Sequence, residues 1–193
     1  MLKTERIIEA FKKIDRADFV LDEYRDEAYS DYPLPIGHGQ TISQPSTVAF
    51  MLELLEPQEG EKILDVGSGS GWTTALLARI VGPGGKVFGL ELIPELVKFG
   101  SENLSKYNFP WSEIQQGEKG HFAPHRAGGS GTRFDRTLVS AAGDEMPQAL
   151  IDRLKIGGRL VMPIQNSVWK ADKISETKLN KTEFPGFVFV PLK

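Results

Sequence analysis

A chain of 193 residues is the size of one domain with a core large enough to stand alone, so a single unit spanning 1–193 is expected. Hydrophobic residues at 40%, charged residues at 25% and a net charge of −3 describe an ordinary globular protein without the basic surplus that nucleic-acid phosphates demand. The absence of cysteine excludes disulfides, thiolate catalysis and cysteine-ligated metals, and no run approaches the ~20 apolar residues of a membrane span, so a monomeric cytoplasmic protein is expected.

Thr4 is placed to cap a first helix in which Ile7, Ile8, Phe11 and Ile14 fall on one side. Pro33, Pro35, Gly37 and Gly39 break the pattern that follows and make Asp31 to Gln40 an irregular loop. Ser43 stands where a helix cap belongs, with Pro45 in the first turn and Val48, Leu52 and Leu55 repeating on one face. Residues 1–56 thus form a helical and loop-rich N-terminal element.

From residue 57 the chain alternates strands and helices. Strands are predicted at Lys62 to Val66, Lys86 to Glu91, around Ile114, Phe134 to Ala141 and Gly158 to Ile164; helices at Trp72 to Val81, Pro94 to Tyr107 and Pro147 to Leu154. Such alternation indicates a mostly parallel, doubly wound sheet, the Rossmann-like α/β class. Trp169 to Ile174 and Phe187 to Leu192 read as two final strands with no helix between them, hence an antiparallel C-terminal edge. The stretch from Gly120 to Arg133 reads as a loop.

Asp65-Val-Gly-Ser-Gly-Ser-Gly71 ends the first of these strands and opens a helix. Glycines at 67, 69 and 71 let the backbone turn tightly and approach a ligand at the carboxyl edge of the sheet; alone, the same pattern also suits a plain strand-to-helix turn. A dinucleotide fingerprint wants a small residue where Trp72 stands, and the Asp65 carboxylate would repel a pyrophosphate but attract the ammonium and sulfonium groups of S-adenosylmethionine. Glu91, at the end of the second strand, is placed to accept ribose hydroxyls; its alternative role is a solvated strand-end charge.

With these motifs in view, the chain resembles the protein-L-isoaspartate O-methyltransferase family over nearly its whole length. The most specific match is Pro33-Leu-Pro-Ile-Gly-His-Gly-Gln-Thr-Ile-Ser-Gln-Pro45. Further matches are Asp65 to Gly71, Leu90-Glu-Leu-Ile-Pro-Glu-Leu96, Phe134-Asp-Arg136, Ser140-Ala-Ala142, Pro147 to Asp152, Leu154 to Leu160 and Phe189-Val-Pro-Leu192. The resemblance implies a class I S-adenosylmethionine-dependent methyltransferase fold. It implies methylation of the free carboxyl of L-isoaspartyl, and also D-aspartyl, residues in damaged proteins, the ester then collapsing to a succinimide that hydrolyses in part to normal aspartate. It assigns catalysis to Ser43 and cofactor binding to Thr41, Ile42, Ser43, Asp65, Gly67, Ser68, Gly69, Gly71, Glu91 and Leu92, with Glu118 and Lys119 at the adenine.

The chain departs from the family pattern in places. Gly117-Glu-Lys119 stands for the usual Gly-Asp-Gly, and Ala141-Ala-Gly-Asp-Glu145 for Ala-Ala-Ala-Pro-Glu, which sets an extra acid, Asp144, beside a site for an acidic acceptor. The loop from Arg126 to Arg133 is long, and the sequence stops at Lys193 where many members continue. Ser43 is open to two readings, acceptor orientation or plain helix capping. Pro124 and the neighbouring glycines argue against a metal site at His121 and His125, so none is expected; His38 reads as a solvated loop residue. Trp72, Trp111 and Trp169 read as packing residues. Open alternatives are a methyltransferase with another acceptor, a cofactor-binding protein without activity, and a nicotinamide oxidoreductase.

Overall fold

The computed structural model describes residues 3–120, 122, 124 and 131–192; His121, His125 and most of the long loop lie outside them. The first helix, α1, runs Lys3–Lys13, so Thr4 lies within it rather than at its cap. Ile7, Ala10 and Ile14 are buried, whereas Ile8 is 48% exposed and falls off the packed face. Two 3-10 turns follow, Arg16–Phe19 and Asp22–Glu27.

The segment expected as an irregular loop is instead a hairpin. β1 (Leu34–Gly37) pairs antiparallel with β2 (Gln40–Ile42), Leu34 opposite Ile42 and Pro35 opposite Thr41. Gly37, His38 and Gly39 all take positive φ (88°, 54° and 70°), which reverses the chain in three residues. Prolines mislead here because a two-stranded ribbon has free edges where a missing N–H costs nothing. What fixes the hairpin is burial of Leu34, Ile36 and Ile42 beneath it.

Helix α2 (Pro45–Leu55) buries Val48, Met51, Leu52 and Leu55. Its N-cap is Gln44, not Ser43; the Gln44 side chain donates to Ser46 Oγ at 2.8 Å and caps no backbone N–H, and the Ser46 N–H donates instead to Asp31 Oδ1 at 2.8 Å. The capping alternative for Ser43 is therefore corrected, and the Ser46 N–H is taken by Asp31. These hydrogen bonds from Ser46 hold the Asp31 carboxyl below its ordinary pKa.

The core alternates as the sequence indicates: β3 (Lys62–Val66), α3 (Trp72–Val81), β4 (Lys86–Glu91), α4 (Pro94–Ser105), β5 (Ser112–Gln116), β6 (Phe134–Val139), α5 (Gln148–Asp152), β7 (Leu154–Ile164), β8 (Ser167–Lys173) and β9 (Leu179–Pro185). Strand order is β5-β4-β3-β6-β7-β8-β9, parallel from β5 through β7 and antiparallel from β7 to β9. Both faces are covered. Ile63 and Val87 join a cluster with α1, α2 and α3, while Leu64, Val66, Phe88 and Leu90 join Phe134, Leu150 and Leu154 on the other face, the two-residue alternation of a strand buried on both sides.

One strand is corrected. The last strand is Leu179–Pro185, and residues 187–192 form none; they make only a bridge from Pro191 to Ala142. Hydrophobicity pointed to the wrong segment because an outer strand need bury little: β9 reads Leu-Asn-Lys-Thr-Glu-Phe-Pro, and most of it is exposed. The apolar residues after it pack as a strap, with Phe187 stacked on Phe50 at 5.1 Å between ring centres.

Candidate active site

The strand order reverses direction at β3, where β4 lies on one side and β6 on the other. At such a switch point the loops leaving neighbouring strands diverge and open a crevice at their carboxyl ends. An open cleft lies there, the concave kind of place in which small molecules bind.

The floor is the turn after β3. The N–H groups of Gly67 and Ser68 both donate to Leu90 O, at 2.8 and 3.1 Å, and Gly71 N–H donates to Ser68 O at 2.8 Å. Gly71 has φ +90°, and a Cβ there would meet Gly100 O at 2.8 Å, so the start of α3 can approach α4 only with glycine at this position. Gly69 N–H points at Glu91, donating to Oε2 at 2.9 Å, while Oε1 accepts from Leu92 N–H (2.8 Å) and Ile93 N–H (3.0 Å). Glu91 is 8% exposed and lines the cleft. A carboxylate offers about four lone-pair sites, so three backbone donors leave roughly one for a ligand.

Asp65 sits differently from its expected place. On β3 it alternates with Leu64 and so shares the face of Ile63, toward α3. Its Oδ2 accepts from both Thr73 Oγ1 and Thr74 Oγ1 at 2.7 Å, and the side chain is fully buried and does not line the cleft. Burial pushes its carboxyl up to about 6, and the nearby Glu91 charge adds to the rise, against the two threonine hydrogen bonds. Any attraction to a cationic ligand acts through the turn rather than by contact. Gly71 and Lys119 also fall outside the lining: Gly71 packs on α4, and Lys119 is exposed to solvent.

The remaining candidates come together. Gly67, Ser68, Gly69, Glu91, Leu92 and Glu118 line the same cleft as Thr41, Ile42 and Ser43. The last three are carried across the chain by the β1–β2 hairpin, which places Ile42 in the core and leaves Ser43 half-buried. Three buried polar atoms around the turn, Asp65 Oδ1, Ser68 Oγ and Trp72 Nε1, have no hydrogen-bond partner among the described residues. An uncompensated carboxylate oxygen, a hydroxyl and a carboxylate at the strand end fit a ligand that brings positive charge and ribose hydroxyls, which is the chemistry of S-adenosylmethionine.

Several lining residues escaped the sequence reading. Trp72 packs edge-on against Phe11 at 5.4 Å as a packing residue should, yet it also borders the cleft. Ser140 and Ala141 follow β6 at the switch point, and Val190, Pro191 and Leu192 close the cleft from the C-terminal strap. The strap is tied down by Ala142 N–H to Val190 O (2.8 Å) and Leu192 N–H to Ala142 O (2.7 Å). Ser140-Ala-Ala142 and Phe189-Val-Pro-Leu192 stand among the family matches, and strand order adds a reason for the first, since β6 flanks β3; the second reads as a strand in the sequence and so is given no place at the cleft there. Asp144 and Glu145 are exposed and stand outside the lining. His38 is exposed at the hairpin tip.

Comparison with known proteins agrees with this geometry. The profile described as protein-L-isoaspartate(D-aspartate) O-methyltransferase matches residues 1–193. A protein-L-isoaspartate O-methyltransferase of Methanopyrus kandleri is 40% identical over 198 aligned residues, covering 99% of this chain and 84% of that protein. One from Ignicoccus hospitalis is also 40% identical, covering 99% and 90%. Among solved structures, a Plasmodium falciparum protein-L-isoaspartate O-methyltransferase in complex with S-adenosyl-L-homocysteine superimposes with a TM-score of 0.85 at 26% identity, covering 98% of this chain and 90% of that one.

Proposed function

The chain belongs to the protein-L-isoaspartate(D-aspartate) O-methyltransferase family, and from that membership we propose that it methylates the free carboxylate of L-isoaspartyl, and of D-aspartyl, residues in damaged proteins, with S-adenosylmethionine as methyl donor. The observation that carries this reading is the joining of Thr41, Ile42 and Ser43 with the Gly67–Gly69 turn and Glu91 around one cleft. A general methyl-donor pocket needs only the turn and the strand-end acid; the hairpin adds a hydroxyl-bearing wall on the acceptor side.

The acceptor is a carboxylate with an ordinary pKa near ~4, ionised at neutral pH, so no residue need remove a proton before attack. When bound, S-adenosylmethionine supplies an electrophilic methyl group on a sulfonium. This chain contributes placement. Glu91 and the Gly69 turn would hold the donor, and the Ser43 hydroxyl would hydrogen-bond one oxygen of the acceptor and so orient the other toward the donor. Correct placement of two reactants is worth roughly 7 to 11 kcal/mol of barrier, enough for an enzyme that carries no acid–base pair. The product ester has a better leaving group than the parent carboxylate, so succinimide closure and partial return to aspartate follow without further catalysis.

Protein substrates suit the net charge of −3 better than nucleic-acid phosphates do. Among the described residues no helix is long and apolar enough to cross a membrane. The test is methyl transfer from labelled cofactor to matched isoaspartyl and aspartyl peptides. Transfer to the isoaspartyl peptide alone supports the proposal. Cofactor binding without transfer to either peptide rejects it.

A further inference from the structure

Arg16 lies behind the hairpin wall of the cleft, in the 3-10 turn that follows α1. It is 3% exposed, and its four hydrogen bonds all go to main-chain carbonyls. Nη1 donates to Ala28 O at 2.6 Å and more weakly to Ser30 O at 3.4 Å; Nη2 donates to Tyr32 O and to Ser43 O, both at 3.1 Å. The guanidinium carbon also stands 5.3 Å from the centre of the Trp72 ring.

This arrangement has a directional consequence. Residues 28 and 43 bracket the segment that contains the β1–β2 hairpin, and both ends of it are held by one rigid planar group. Ser43 and Trp72, each in contact with that group, are both lining residues, one on the acceptor wall and one at the first residue of α3 beyond the glycine turn. A guanidinium can do this because its donors diverge in one plane; an ammonium is a point charge on a flexible stem and cannot reach the same carbonyls at once. Burying a charge is costly even with the Asp31 carboxylate near enough to offset part of the loss, and an apolar side chain would fill the same space with less desolvation. Fixing one geometry across the cleft is something the apolar filler could not do.

We propose that Arg16 is a positioning residue for methyl transfer, setting the Ser43 hydroxyl relative to the glycine turn through the Ser43 carbonyl. The inference rests on the reading of Ser43 as the acceptor-orienting group. Arg16 touches neither reactant. Its loss displaces the acceptor while the donor, held by Glu91 and the Gly69 turn, keeps its place.

The experiment compares Arg16→Lys and Arg16→Gln with the parent in the full chain. Saturating cofactor is present in the activity assays to hold the folded state. The control is Lys173→Met, which removes another buried cation, one bonded to the Ile151 and Leu154 carbonyls and absent from the lining. Both Arg16 variants should lose about 100-fold in kcat/KM for an isoaspartyl peptide, the size expected of a misplaced reactant, while S-adenosylhomocysteine affinity stays within about threefold of the parent by calorimetry. The Lys173→Met control should lose stability and keep its kcat/KM per folded molecule. The inference is overturned if folded Arg16 variants retain parental kcat/KM, or if cofactor affinity falls as far as kcat/KM does. A parent with no activity on isoaspartyl peptides would fail the functional proposal instead, and the two results are distinct.

Discussion

Gly69 and Glu91 are tied across the cleft floor, the glycine N–H donating to Oε2 at 2.9 Å, so the acid proposed to receive ribose also fixes the turn on which the donor lies. Glu91→Ala should weaken S-adenosylmethionine binding by about 2 to 3 kcal/mol, the range for hydrogen bonds to a charged group. Glu91→Gln, which keeps one acceptor oxygen, should lose less. Calorimetry showing unchanged affinity in folded Glu91→Ala removes Glu91 from the cofactor site.

Asp65 gives a prediction in pH. The unfolded chain titrates this carboxyl near ~4, whereas burial holds the folded group at about 6. Between those values the folded protein binds the extra proton, so the stability this group contributes is complete below pH ~4 and is lost as pH rises through about 6. Asp65→Asn should flatten that part of the denaturation profile and, at pH 7.5, should not be less stable than the parent. Cofactor binding has the opposite sign, because a sulfonium favours the ionised carboxylate. The affinity ratio of S-adenosylmethionine to uncharged-sulfur S-adenosylhomocysteine should therefore rise from pH 5 to 7.5 in the parent and stay level in Asp65→Asn. A ratio that does not move in the parent ends the charge argument.

Ser43→Ala should lower kcat/KM for an isoaspartyl peptide by tenfold or more, the worth of one hydrogen bond to a carboxylate, with S-adenosylhomocysteine affinity nearly unchanged. Helix loss is no competing explanation, since α2 starts from Gln44 and takes its external bond from Asp31. Parental activity in the variant would take Ser43 out of acceptor binding. Asp144, exposed and outside the lining, should matter less: Asp144→Asn is expected to reduce KM by no more than about threefold at low salt, and not at all once added salt shortens the screening length.

The C-terminal strap makes a separate prediction. Phe187 stacks on Phe50, and the residues just after it roof the cleft. Phe187→Ala should speed S-adenosylhomocysteine release several-fold with little change in its association rate, since weakening an existing interface acts mainly on dissociation. Equal dissociation rates by stopped flow would show that the strap seats without this ring pair.

Most of the α/β core was legible because its strands are buried on both faces and end in glycine turns: α3 and β3 fall where apolar runs and Gly67 to Gly71 put them. The cofactor candidates followed from the same turn. Two kinds of information were not in the local pattern. The prolines of the hairpin signal a break in helix but say nothing of Leu34 and Ile42 meeting across it, which depends on a core assembled from distant residues. The facing of Asp65 depends on strand alternation relative to α3, so charge type alone put it in contact with the ligand when register turns it underneath. Arg16 carried no motif at all; its partners are carbonyls, which every sequence has.

The outer strands of the sheet bear on the company this protein is proposed to keep. β5 carries Glu113, Gln115 and Gln116 on one side of the sheet, and β9 carries Lys181 and Glu183 and stops at Pro185 on the other. Damaged chains expose extended backbone that would add readily to a flat, greasy strand and grow from it. The charges of Glu113, Lys181 and Glu183 along the two margins, with Pro185 ending β9, make that addition unfavourable, so neither outer strand offers an extended client a template to grow from.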